Sequence, residues 1–119
     1  MEKPSIVSAF EQAFNKNKNI IHILIDARSV VSSDIHWLPG AEDSLDLIAD
    51  REDCQVTIYT ADLTEHNVED LTKLLKRARL MFSLQNDPLY LNSYDILLSN
   101  KAGFVYTDFP AIKDYLSKL

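Results

Sequence analysis

Apolar residues along this chain follow two rhythms, and their order sets the fold to expect. Ile6, Phe10 and Phe14 recur every four residues with Ala9 and Ala13 beside them. That is one face of an amphipathic helix, which the polar run NKNKN ends. Residues 19–25 are apolar nearly throughout, which suits a central parallel strand covered on both faces. Residues 27–38 read as a loop. Pro39 then opens a helix carrying Ala41, Leu45 and Ile48 on one side, with Glu42 and Asp43 in its first turn, where the helix dipole favours acids. CQVTIYT gives a second strand. Beyond Thr60 a polar stretch leads into VEDLTKLLKRA, a helix with the face Val68, Leu71, Leu74, Leu75 and Ala78. RLMFSL reads as a short third strand, YDILLS as a fourth and FVYT as a brief fifth. Thr107 or Asp108 caps a last helix with Pro110 in its first turn and Ile112, Tyr115, Leu116 and Leu119 facing inward.

Strands alternating with helices predict a single-domain α/β fold, a Rossmann-like parallel sheet with helices on both faces. Residues 19–119 form its core, and residues 1–18 add an N-terminal helix. In such sheets ligands gather beyond the carboxyl ends of the strands. Asp26, Thr60 and the pair Ser99-Asn100 fall at those ends.

Composition narrows the function classes. With 12 Lys and Arg against 18 Asp and Glu, the net charge is −6 and no dense basic run interrupts it, which excludes a phosphate-backbone binder of nucleic acid. Cys54 is the single cysteine and precedes an apolar run, so a buried structural thiol is expected. The N-terminus has no apolar block of signal type and no long apolar run follows, so a cytoplasmic protein with no membrane partner is expected.

The segments HILIDARS, LPGAEDSLDLI, VTIYTA and DILLSNKAGF, in that order, resemble the haloacid dehalogenase (HAD) superfamily. The resemblance covers roughly residues 19 to 119. It implies a nucleophilic carboxylate at Asp26 and a phosphoryl-holding hydroxyl at Thr60. It also implies an acid two residues after the nucleophile, a lysine, and a late acidic pair that helps to hold Mg²⁺. Here Arg28 stands at the acid's position, and guanidinium stays protonated at any working pH. Ser99 and Asn100 replace the acidic pair, and neutral oxygens compensate a hard dication poorly. Asp26 is then the one remaining Mg²⁺ ligand. The lysine is missing from QNDPLYLNSYD, with Lys101 the nearest substitute.

The reading that follows is a degenerate, capless HAD-like domain. It keeps the nucleophile-position Asp26 but acts by binding a phosphate-containing small molecule or a protein partner. Arg28, Asp34, Ser99, Asn100 and Lys101 would line the ligand site, with Arg28, Thr60 and the loop N–H groups as anion donors. The alternative is an active Mg²⁺-dependent phosphomonoesterase that recruits Asp34 as its acid. A metal-free dehalogenase would want a larger cap than residues 27–38 supply, and a receiver-like domain would want an acidic cluster after the first strand.

Plainer roles compete at each position. Asp26 can simply cap the turn that follows, and Thr60 can be an ordinary strand threonine. Arg28 can be a surface residue or can pair with Asp26. His22 reads as a packed core histidine and Trp37 as a loop aromatic over the core. His36 and His66 lack metal-ligand spacing with Cys54 or with each other.

Overall fold

β1 (Ile21–Asp26) is buried at five of its six positions, as its nearly unbroken apolar run requires of a central strand. The computed structural model describes residues 5–16, 20–80, 82–87, 94–100 and 107–118. Around β1 it sets β2 (Cys54–Tyr59), β3 (Ser83–Gln85) and β4 (Ile96–Leu98), with helices α1 (Ser5–Asn15), α2 (Ala41–Ala49), α3 (Glu65–Arg77) and α4 (Phe109–Ser117). All the strand pairs are parallel, in the order β3-β2-β1-β4, and the four helices flank the sheet. This is the expected Rossmann-like α/β architecture.

The register fixes which ends lie together. Ile21 pairs with Cys54 and Asp26 with Tyr59, while Ile23 to Ile25 pair with Ile96 to Leu98 on the other side. The chain therefore steps outward from β1 through β2 to β3, then returns to the far side of β1. The strand order reverses between β1 and β4, which makes that gap the switch point of the sheet.

One face of the sheet carries most of the core. Ile21, Ile23 and Ile25 line up with Cys54, Val56 and Ile58, and all six are buried. His22 projects to the opposite face and is exposed, so it is not a core histidine. Strand alternation explains the correction: hydrophobic neighbours in sequence say nothing about the face on which the intervening side chain lands.

The helices close over that core. Phe10 is 0% exposed, with its ring 6.1 Å from Phe14 and 5.9 Å from Tyr115 of α4. Arg51 lays its guanidinium 5.3 Å from the Phe14 ring centre. α4 packs against both α1 and α2, and the buried Ser44 hydroxyl of α2 donates to the Phe109 carbonyl at 3.3 Å.

Several boundaries move from their expected places. α2 begins at Ala41 rather than at Pro39, because Gly40 sits between them at φ 81°, in the left-handed region. A Cβ there would also lie 3.2 Å from that of Phe109, so glycine meets two demands at once. α3 starts three residues before Val68, because Thr64 caps it by accepting from the Asn67 N–H at 3.2 Å. The third strand is displaced to Ser83–Gln85, with Arg79 in a turn at φ 59°. Asp108, not Thr107, caps α4, accepting from the Ala111 N–H at 3.1 Å. Most of FVYT, and Leu119, lie outside the described residues. Among the described residues no helix is long and apolar enough to cross a membrane.

Cys54 is buried, and its Sγ lies 3.5 Å from an Asp53 carboxylate oxygen. Burial first, and then the Asp53 charge, push its thiol from 9.0 up to about 11. The fold thus favours the neutral thiol. That contribution is complete below the unfolded value of 9.0 and disappears as pH rises through about 11. Iodoacetamide at neutral pH should label Cys54 only as fast as the protein unfolds, and thermal stability should fall across that alkaline window less steeply in Cys54→Ala. Rapid labelling of the native protein would contradict this placement.

Candidate functional site at the switch point

Asp26 ends β1 and is 7% exposed. Directly after it the chain makes one 3-10 turn, Ala27–Ser29, and Asp26 caps that turn: Oδ1 accepts from the Arg28 N–H at 3.2 Å. The capping role is therefore real, but it is half of what the carboxylate does. Its Oδ2 accepts from the Ser99 hydroxyl at 3.1 Å, and Ser99, 3% exposed, is the first residue after β4. The bond crosses the gap where the strand order reverses.

A second bridge runs beside it. The Asn100 N–H donates to the Ser29 Oγ at 2.9 Å, and Ser29 is itself buried. The Asn100 side-chain carbonyl in turn accepts from the hydroxyl of Thr107, the buried residue just ahead of the α4 cap. Asp26, Ser29, Ser99, Asn100 and Thr107 thus tie the ends of β1 and β4 to the start of α4. All but the exposed Asn100 are buried, and buried polar groups are costly unless satisfied, so the network favours one arrangement of three chain segments.

Residues 30–38 are more ordered than a plain loop. Val30, Val31 and Ile35 are buried, Val31 and Trp37 form an antiparallel bridge, and Trp37 packs against the core as expected. The turn is tight enough to place Ile35 at φ 57°. Its N–H groups are used within it: Val30 and Val31 donate to the Ala27 carbonyl, Ser32 to that of His36 and Leu38 to that of Val30. His36 donates to the Ser32 hydroxyl. Closing the hairpin therefore engages several of the N–H groups that an anion cradle here would draw on.

Arg28 meets Asp26 only through its backbone. Its guanidinium turns instead to the Ser32 carbonyl, 3.4 Å from Nη1. Asp34 is exposed at the tip of the hairpin. Lys101 lies outside the described residues.

Thr60 follows Tyr59, the register partner of Asp26, and so lies at the same end of the sheet. It is buried, and its N–H donates to the Gln85 carbonyl at 2.9 Å. Its surroundings differ from those of Asp26. Thr60 borders a hollow of about 570 Å³ that also takes Glu65 and Glu69 in its lining, a setting that repels anions.

Among the described residues no group of three His, Cys, Asp or Glu side chains converges as a metal site. The donors at the switch point do not suit Mg²⁺ either. Among the described residues they comprise one carboxylate, already accepting from a hydroxyl and an N–H, with the neutral Ser99 and Asn100 beside it. His66 is exposed on α3, 3.5 Å from Asp70.

Ser29 and Thr107 are the members of this network that the sequence did not single out as site residues. Ser29 carried one faint signal, a hydroxyl three positions beyond a strand-ending aspartate. Thr107 was legible only as a cap, since its partner Asn100 is brought to it by the fold. Comparisons with protein-family models, with curated proteins and with solved structures give no match to this chain.

Proposed function

We propose that this chain is a degenerate HAD-like domain, a non-catalytic module that binds a phosphate-containing small molecule. The observation that supports it best is the hydrogen bond from the Ser99 hydroxyl to Asp26 Oδ2. A nucleophilic carboxylate needs an oxygen open to the reacting centre. Asp26 instead receives neutral donors on both oxygens and is held at the base of a closed hairpin. Arg28 cannot deliver a proton to a leaving group, and Asp34 stands exposed at the hairpin tip.

Among the described residues, the side-chain donors offered to a phosphate are the Arg28 guanidinium and the Asn100 amide. The Asn100 carbonyl is engaged by Thr107, which orients the amide group as a whole. Two donors beside a carboxylate make a weak site. Inorganic phosphate at millimolar concentration should raise the melting temperature slightly, by mass action on the folded state, and Arg28→Met should abolish that rise. Mg²⁺ alone should leave the melting temperature unchanged. A Mg²⁺-dependent rise, or a phosphate effect that survives Arg28→Met, would defeat this reading.

A further inference from the structure

We propose that two copies of this chain pair about a two-fold axis along the β3/α3 edge, so that the sheet continues from one subunit into the other. β3 pairs with β2 on one side and forms an edge of the sheet formed by the described strands. Edge strands are ordinarily blunted by shortness, charge, proline or a bulge, and β3 has the first of these, at three residues. Ser83, Leu84 and Gln85 carry neither charge nor proline, and Leu84 is one of two large apolar side chains left exposed among the described residues, at 37%.

The surface around Leu84 has the shape of a receptor for itself. Leu84 borders two hollows between β3 and α3. The larger is the hollow that Thr60 reaches, walled on the helix by Glu65, Val68 and Glu69. The smaller, about 330 Å³, is walled by Thr72, Leu75 and Lys76, with Phe82 across from them. The helix residues Glu65, Glu69, Thr72 and Lys76 are spaced four, three and four apart, so they form one stripe along this edge.

That stripe fixes the choice of partner. It begins acidic and ends basic, over a helical rise of roughly 16 Å. The gradient complements the helix dipole, but here it also lies along an edge that no other described strand pairs. A second copy placed antiparallel brings the Lys76 end of one α3 to the Glu65 and Glu69 end of the other, twice by symmetry. Each Leu84 then meets the partner's hollows, and the β3 strands align antiparallel with their backbone groups available to pair. An isologous contact of this kind closes on itself, because both copies spend the same edge on it. Parallel stacking of the same edge would set like charges together. The proposal does not depend on the switch-point reading, because none of its contact residues belongs to the Asp26 network.

Sedimentation velocity on the full chain at tens of micromolar tests it. The wild type should sediment as a dimer and Leu84→Lys as a monomer with an unchanged circular dichroism spectrum, since the side chain is already part-exposed. Lys76→Glu should weaken the dimer by about tenfold or more, because repulsion appears at two symmetric places. The double variant Glu69→Lys/Lys76→Glu should recover the wild-type association, and it stays informative if Leu84→Lys misfolds. A monomeric wild type would overturn the proposal. So would a dimer that survives Leu84→Lys, or a double variant no better than Lys76→Glu alone.

Discussion

Asp26→Ala is expected to destabilise the fold by about 2–4 kcal/mol, the sum of a lost turn cap and a lost buried hydrogen bond to a carboxylate. The change removes the carboxylate that accepts from the Ser99 hydroxyl at 3.1 Å, and Ser99 is 3% exposed. Ser99→Ala should cost less, because the carboxylate keeps its bond from the Arg28 N–H. The double variant should then show a coupling of about 1–2 kcal/mol between the two positions. Urea melts of the four proteins give all three quantities. A carboxylate kept for catalysis predicts the opposite sign, since residues arranged for turnover commonly reduce stability and their replacement raises it. An Asp26→Ala protein as stable as the wild type would remove Asp26 from the structural role assigned to it.

Phe10→Ala carries the other large effect, a loss of about 3–5 kcal/mol. Its ring is fully buried between Phe14 and Tyr115 and belongs to the same core as β1. A domain of this size has only about 5–15 kcal/mol in hand, so α1 is part of the fold rather than an appendage to it. The urea midpoint should fall with little change in slope, the sign that contacts and not compactness were altered. A small shift would mean that α1 is dispensable, and deletion of residues 1–15 should then be harmless too.

Periodicity made the larger features legible. The Ile6-Phe10-Phe14 spacing located α1 and its buried face, and the apolar run before Asp26 located the central strand. What failed did so for local reasons. His22 was assigned by its neighbours, whereas a strand sends alternate side chains to opposite faces. RLMFSL looked like a strand from its apolar content, but a left-handed Arg79 turns the chain before pairing begins at Ser83. In the candidate site, the positions of Asp26, Thr60 and Ser99 at strand ends could be read from order alone. That Asp26 faces Ser99 while Thr60 opens toward an acidic hollow could not, because it depends on β4 crossing to the far side of β1. The hairpin's use of its own N–H groups was equally hidden, since donors can be counted in a sequence but their acceptors cannot.

The most direct test of the account is hydrolysis of a generic phosphomonoester by purified wild type and Asp26→Asn, each with and without Mg²⁺, in preparations free of host phosphatases. An absent general acid alone lowers rates by about 10²–10⁴, and the donors at the switch point do not suit the metal that would polarise the phosphoryl group. The account predicts no turnover above the buffer blank in any of the four conditions. Turnover by the wild type that requires Mg²⁺ and disappears in Asp26→Asn would contradict it, and would make Asp26 a working nucleophile.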